Sequence, residues 1–423
     1  MPEAPLPATI AAYLAKRAVS APWRVSKHPE RLFSGAVVIP SLAESANLGR
    51  TLESLANNPP DLLNQFMILV VVNQRCHAAE GDRDDNLATL ALLPEWRKEF
   101  GLENLYWVDA ASPGNELPRK QGVGLARKIG LDLALPLLDY AGGDPLLVCL
   151  DADTLVQADY LPAIVTHFST VSAGGASIPY RHRPAAYPHG QRAIDRYELF
   201  LRAYVLGLQL AGSPYAFHTV GSAMACRASA YVAAGGMNRR LAGEDFYFLQ
   251  QLHKTCGVAD LKGTVVHPSP RSSLRVPFGT GRAVGDMLAE GEKRLLFYQP
   301  AVFMILGEWL ACVAGSPTAG GTLLLERAGD ISPVLGEYLE QAGFRESWDG
   351  LGRHNQGHAR LLAAFHGWFD AFRSMRLIHL LSDQVYPRVK PEESVPALLE
   401  RAGYSSPADV SGQLSLLRSL QQG

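Results

Sequence analysis

What the sequence lacks narrows it first. Its 423 residues include only five cysteines, Cys76, Cys149, Cys226, Cys256 and Cys312. The number is odd, the spacing wide, and no CxxC pair occurs, so neither a disulfide framework nor a thiolate metal site is expected, and reduced thiols in a cytoplasm are. Charge of one sign is lacking too. Lys and Arg number 39 against 41 Asp and Glu, a net charge of −2, which offers nucleic acid no overall attraction. The opening MPEAPLPATIAAYLAKR has an early acid, a broken apolar run and no small-residue cleavage pattern, so no signal peptide is read. The most apolar later stretch, Leu295–Ala314, is long enough to span a membrane but contains Gln299, Pro300 and Glu308. A buried helix pair or a surface-associating segment is expected instead, limiting membrane contact to the periphery. No internal repeat or low-complexity block is present.

What is there is enough apolar residue, 47%, for a large core in a chain well above the usual domain of about 100–200 residues. Between Ala36 and His267, short apolar runs alternate with helix-length amphipathic segments, which predicts a mainly parallel sheet flanked by helices. Ala36–Pro40, Met67–Asn73, Leu105–Val108 and Leu146–Leu150 read as strands. Asn47–Asn58, Gln121–Leu138 and Arg192–Leu210 read as helices that flank them, and HAAEGDRDDN (77–86) as a polar loop. From about Arg282 onward the strand-like runs vanish and Leu-, Ala- and aromatic-rich helical patterns take over. The expected division is an N-terminal extension (1–32), an α/β domain (33–281) and a helical C-terminal region (282–423).

Asp151-Ala152-Asp153 follows the fourth apolar run directly, so both acids should emerge at the carboxyl end of a buried strand, where open α/β sheets bind ligands. Two acids one residue apart at a strand exit can converge on an oxygen-seeking cation, Mn²⁺ or Mg²⁺, able to neutralise a departing diphosphate. On its own the tripeptide equally marks a turn or a helix cap. Glu244-Asp245 opens a helical run after Gly243, where the helix dipole favours carboxylates. His267 ends GTVVH, read as a strand, and enters the basic loop PSPRSSLR, residues 268–275.

Four segments, IPSLAESANL (39–48), VVVN (70–73), VCLDADTLVQADYL (148–161) and GSAMACRASAYVAAGGMNRRLAGEDFYFLQQL (221–252), resemble in this order the family 2 glycosyltransferases and their GT-A relatives. The resemblance spans about Phe33–His267. It implies a GT-A, Rossmann-like fold and metal-dependent transfer of a hexose from a nucleotide-diphosphate sugar. By resemblance Pro40, Glu44 and Asn73 lie at the nucleoside, Asp151, Asp153 and His267 hold the metal, and Asp245 is the catalytic base, with Glu244 the alternative or an acceptor ligand. Lys120, Arg127, Arg271 and Arg275 are placed to face the diphosphate, and Gly221 lies in the acceptor-side turn. Ser41-Leu42-Ala43 and Asn73 depart from the usual IPxYNE and Asp, which leaves the base open with uridine as the default.

The QxxRW motif of processive synthases is missing, so a single transfer to a small or lipid-linked acceptor is expected. Arg271, Arg275 and Arg282 bring to mind relatives of the mannosylglycerate and glucosyl-phosphoglycerate synthase type, which use small acidic acceptors. Two alternatives stand beside this reading. A nucleotidyltransferase of similar fold would carry a Gly-rich basic loop after its first strand, which IPSLAESANL lacks. A non-catalytic sugar-nucleotide or glycan binder would have no need for the four acids at Asp151, Asp153, Glu244 and Asp245.

Overall fold

The computed structural model describes residues 6–273, 279–291 and 294–421. In chain order the elements are α1 (Ala8–Lys16), β1 (Gly35–Ser41), α2 (Ser45–Ala56), α3 (Pro60–Leu63), β2 (Phe66–Asn73), α4 (Glu80–Glu99), β3 (Leu105–Ala110), α5 (Val123–Ala134), β4 (Leu146–Cys149), α6 (Tyr160–Thr170) and β5 (Gly175–Ser177). There follow α7 (Pro188–Leu210), β6 (Met224–Arg227), α8 (Ala228–Ala233), α9 (Glu244–Cys256), β7 (Val258–Asp260) and α10 (Thr280–Glu290). The chain ends in α11 (Pro300–Ala314), α12 (Gly321–Ile331), α13 (Pro333–Gln341), α14 (Phe344–His354), α15 (His358–Trp368), α16 (Ala371–Gln384), α17 (Pro391–Arg401) and α18 (Val410–Gln421).

Two compact units divide the chain. The first takes in the residues up to Ala185 with Thr219–Arg282, the second Ala186–His218 with Ala283–Gln421. The helix over Pro188–Leu210, read from the sequence over Arg192–Leu210 as flanking the sheet, groups with the second unit.

The first unit is built on one sheet of order β3-β2-β1-β4-β6-β5-β7. The pairs β3–β2, β2–β1, β1–β4 and β5–β7 run parallel, and β6 lies antiparallel between β4 and β5. This is the mainly parallel, helix-flanked sheet the sequence predicts. β1, β2 and β4 are buried along their whole length, which is why they read as unbroken apolar runs rather than alternating ones. GTVVH is a correction: it makes only isolated bridges, Tyr180 with Val266 and Leu155 with His267. The supposed loop at residues 77–86 is another, because α4 begins at Glu80, its first-turn acids Glu80 and Asp82 favoured by the helix dipole.

The second unit is helical. Trp309, fully buried on α11, meets Phe344, Phe365 and Phe369 edge-on at centroid distances of 5.1, 6.0 and 6.3 Å. The apolar stretch ending at Ala314 is therefore a core helix, as Val302, Phe303, Leu306 and Val313 are buried with Trp309, and no helix among the described residues is long and apolar enough to cross a membrane. The helical pattern from His358 to Asp383 breaks into α15 and α16 at Asp370, whose carboxylate accepts the Arg373 N–H at 3.0 Å and caps α16.

Candidate functional site

β4 and β1 part company where the acids leave the sheet. Leu150 N–H still donates to Val38 O at 3.1 Å, but Pro40, two residues further along β1, has no N–H to return the next ladder bond. The chain is released at Asp151, whose carbonyl accepts the Thr154 N–H at 3.1 Å. Ala152 is buried, its carbonyl held by Thr51 Oγ1 at 2.8 Å. Two carboxylates therefore leave the carboxyl edge of the sheet on either side of a fixed alanine.

Arg127 of α5 gathers the first cluster. The residue is 2% exposed; its Nε donates to Glu244 Oε1 at 3.0 Å and its Nη2 to Asp151 Oδ1 at 2.6 Å. Burial disfavours the charge, but the carboxylates of Asp151 and Glu244 more than offset it and hold the pKa above its usual value. Nη1 is buried without a hydrogen-bond partner among the described residues, a donor that normally finds an acceptor. Gly221 belongs here through its missing side chain: a Cβ would stand 2.4 Å from Arg127 Nη2 and 3.5 Å from Asp245 Oδ2. Asp245 sits in the first turn of α9, where Oδ1 accepts the Phe246 N–H at 2.8 Å. Burial, with the Glu244 charge adding to it, pushes the Asp245 carboxyl up, to about 7, the range in which a carboxylate can act as a general base at neutral pH.

Arg271 gathers the second. Its Nε donates to Asp153 Oδ2 at 2.8 Å and its Nη2 to Glu44 Oε1. Burial pushes the Asp153 carboxyl up to about 6; Arg271 opposes the rise, and Glu44 and Asp151 add to it. Arg183, which sequence reasoning missed, donates Nη2 to the Asp153 carbonyl at 2.9 Å, while its Nε is buried without a partner among the described residues. Burial, then the nearby charges of Arg50 and Arg271, pull its pKa down against the pull of Asp153. The backbone of His267 is joined to Leu155, just past Asp153, by bonds of 2.8 and 3.1 Å. Its Nδ1 lies 3.1 Å from the Arg181 carbonyl.

The third part of the site lies at the ends of β1 and β2. Asn73 donates Nδ2 to the carbonyls of Ser41 and Val71, each at 3.0 Å, which turns its amide oxygen away from both. Ala43 takes a left-handed backbone, φ 51°, a conformation worth about 1–3 kcal/mol of strain for a residue with a side chain. α4 holds it there: Asn86 Oδ1 accepts the Ala43 N–H at 2.8 Å, and Asp85 accepts from Ser45 N and Oγ at 2.9 and 2.6 Å. Asn86 also donates to Asn73 O and Gln74 Oε1. Asp85, Asn86 and Gln74 went unread in the sequence, the first two inside the supposed loop; the acid-rich start of α4 was the only signal.

Of the residues singled out from the sequence, the structure joins Arg127 with Asp151, Glu244, Asp245 and Gly221, and Arg271 with Glu44 and Asp153. Pro40 and Asn73 stand at the strand ends beside them. Lys120 is exposed before α5, with no hydrogen bond or ion pair to the cluster. Arg275 lies outside the described residues. No three His, Cys, Asp or Glu side chains among the described residues group as a cation site. Asp151 and Asp153, the oxygen donors that Mn²⁺ or Mg²⁺ would take, are each engaged by a guanidinium.

No family model matches the chain, and no curated protein matches it. Among solved structures it is similar to residues 1–349 of S. aureus TarS, at 12% identity and a TM-score of 0.36 over 92% of this chain and 91% of that one. It is similar also to the mannosyltransferase PcManGT from Pyrobaculum calidifontis, solved with GDP-Man and Mn²⁺, at 18% identity and a TM-score of 0.38 over 86% of this chain and 93% of that one. A third is glucosyl-3-phosphoglycerate synthase from Mycobacterium tuberculosis in complex with UDP, at 16% identity and a TM-score of 0.36 over 70% of this chain and 82% of that one. At these values no residue role passes from them to this chain.

Proposed function

We propose that the protein is a glycosyltransferase that moves a single sugar from a nucleotide-diphosphate sugar to a hydroxyl of a small or lipid-linked acceptor. One observation carries the reading. Acids and arginines from separate segments meet at the carboxyl edge of parallel strands, and two of the arginines, Arg127 and Arg183, keep a buried N–H without an acceptor among the described residues. Buried donors of this kind fit the oxygens of a diphosphate, which a guanidinium binds at short range.

In this reading the nucleoside lies over Pro40, Glu44 and Asn73, and the diphosphate faces Arg127, Arg183 and Arg271, with Lys120 and Arg275 as further donors. Asp245 takes the acceptor's hydroxyl proton as that oxygen bonds to the anomeric carbon. The bond from that carbon to the diphosphate oxygen breaks, and the leaving diphosphate carries its charge onto the arginines. Glu244, buried against Arg127, keeps the guanidinium oriented. Mn²⁺ or Mg²⁺, bound at Asp151 and Asp153 in exchange for their arginines, would supply Lewis-acid stabilisation of the same charge; no step is assigned to it. The test is the release of UDP or GDP from a panel of sugar nucleotides. Wild type releases one of them and Asp245→Asn does so at least about a hundredfold more slowly. Equal rates for the two, or no release from any sugar nucleotide, overturn the reading.

A further inference from the structure

We propose that Tyr13, in the segment ahead of the sheet, is a positioning residue for this site: its buried hydroxyl seats both the helix that carries Arg127 and the loop that leads into Glu244. The inference rests on the function proposed above.

Four polar side chains close a buried knot between α1, α5 and α8. Tyr13 Oη donates to Asp132 Oδ1 at 2.8 Å and accepts from Lys128 Nζ at 2.6 Å. Lys128 pairs with Asp132 at 2.9 Å, Tyr231 Oη donates to the same Oδ1 at 2.7 Å, and Val19 N–H caps Oδ2 at 2.8 Å. All four side chains are buried. Apolar contacts alone, such as that of Ile10, would dock α1; a satisfied polar knot adds orientation, because each member must keep its partners or bear the full penalty of a buried unpaired group.

The orientation reaches the site by two routes. Lys128 follows Arg127 on α5, and neighbouring residues on a helix are about 100° apart around its axis, so anchoring one sets the direction of the other. The second route is the stretch 234–243 between α8 and α9. Gly236 has φ +79°, and a Cβ there would stand 1.8 Å from Tyr13 Oη and 3.1 Å from Lys128 Nζ, so the backbone lies directly on the knot. Further along, Arg240 O accepts the Gly124 N–H of α5 at 3.2 Å, and Asn238 Nδ2 donates to Glu244 O at 2.8 Å. Both supports of the Arg127–Glu244 pair therefore touch the Tyr13 hydroxyl or its lysine partner.

The test compares Tyr13→Phe with Tyr140→Phe in the full chain. Each removes one tyrosine hydroxyl, but that of Tyr140 donates to the Leu135 carbonyl at 3.0 Å, apart from the knot and from the stretch 234–243, so the second is the structural control. Amide hydrogen exchange over residues 236–244 is expected to speed up about tenfold in Tyr13→Phe and to stay within about twofold of wild type in Tyr140→Phe. Transfer by Tyr13→Phe should lose about ten- to a hundredfold in kcat with donor KM little changed. Unchanged exchange in Tyr13→Phe, or equal effects of the two variants on exchange and on kcat, overturns the proposal. If wild type turns over no sugar nucleotide, the functional reading falls by itself, and exchange still decides whether Tyr13 positions the loop.

Discussion

Each unit holds a buried arginine–carboxylate network, and the two are built differently. In the second, Glu198 is fully buried and both its oxygens are engaged: Oε1 accepts from Arg202 Nε at 2.9 Å and Arg418 Nε at 2.8 Å, and Oε2 from Arg418 Nη2 at 3.0 Å. That network is closed around its carboxylate and ties α18 to α7. In the first unit Arg127 joins two acids, yet it keeps an unused buried N–H, and the Asp151 side chain is 35% exposed. A network that has spent its hydrogen-bonding capacity holds a fold together, whereas one with capacity left over, opening to solvent at a strand end, is built to receive something.

The contrast can be broken in four places. The largest effect is expected at Asp245, where Asp245→Asn removes the proposed base and should lower kcat by about 10²–10⁴ with little change in melting temperature. Because burial and Glu244 raise the pKa of Asp245 to about 7, the carboxylate forms only as pH rises through neutrality. Wild-type kcat/KM should therefore climb across that window and the variant's should not, which a pH–rate profile measures. Next, Glu198→Ala leaves Arg202 and Arg418 without their carboxylate and should destabilise the protein by about 3–5 kcal/mol, read by thermal or denaturant unfolding. Arg127→Met leaves the buried Glu244 carboxylate unpaired and should cost about 3 kcal/mol, the low end of that range because water can reach Asp151, while donor binding measured by calorimetry is lost. The smallest effect is that of Gly221→Ala, where the new methyl displaces the Arg127 tip. It should weaken donor binding by about 1–3 kcal/mol and leave the melting temperature near that of wild type.

Much of the sheet was legible because fully buried parallel strands need continuous apolar runs, and 66–73 and 146–149 have them. β5 and β6 were not read as strands: Gly175-Ala176-Ser177 and Met224–Arg227 are too short, and too poor in β-branched residues, to stand out from loop. GTVVH carried the opposite error, a β-branched signal on a segment that meets the sheet only through single bridges. The acids of the site were legible from their place after an apolar run or at a helix start. The pairing of those acids with Arg127 and Arg271 was not. Arg127 lies 24 residues from Asp151 and 117 from Glu244, and no spacing rule reaches across such distances; only the fold brings the guanidinium to both. Two acids one residue apart likewise carry no sign that Asp151 and Asp153 will each find its own arginine.

The most direct test of the central claim is a calorimetric titration of the wild-type protein with UDP and with GDP, with and without Mn²⁺, beside the same titrations of Arg127→Met and Asp153→Ala. The account predicts that one of the two nucleotides binds wild type and that Arg127→Met abolishes the binding, with any gain from Mn²⁺ vanishing in Asp153→Ala. Absence of binding by either nucleotide under every condition, or binding that survives Arg127→Met unchanged, would contradict it.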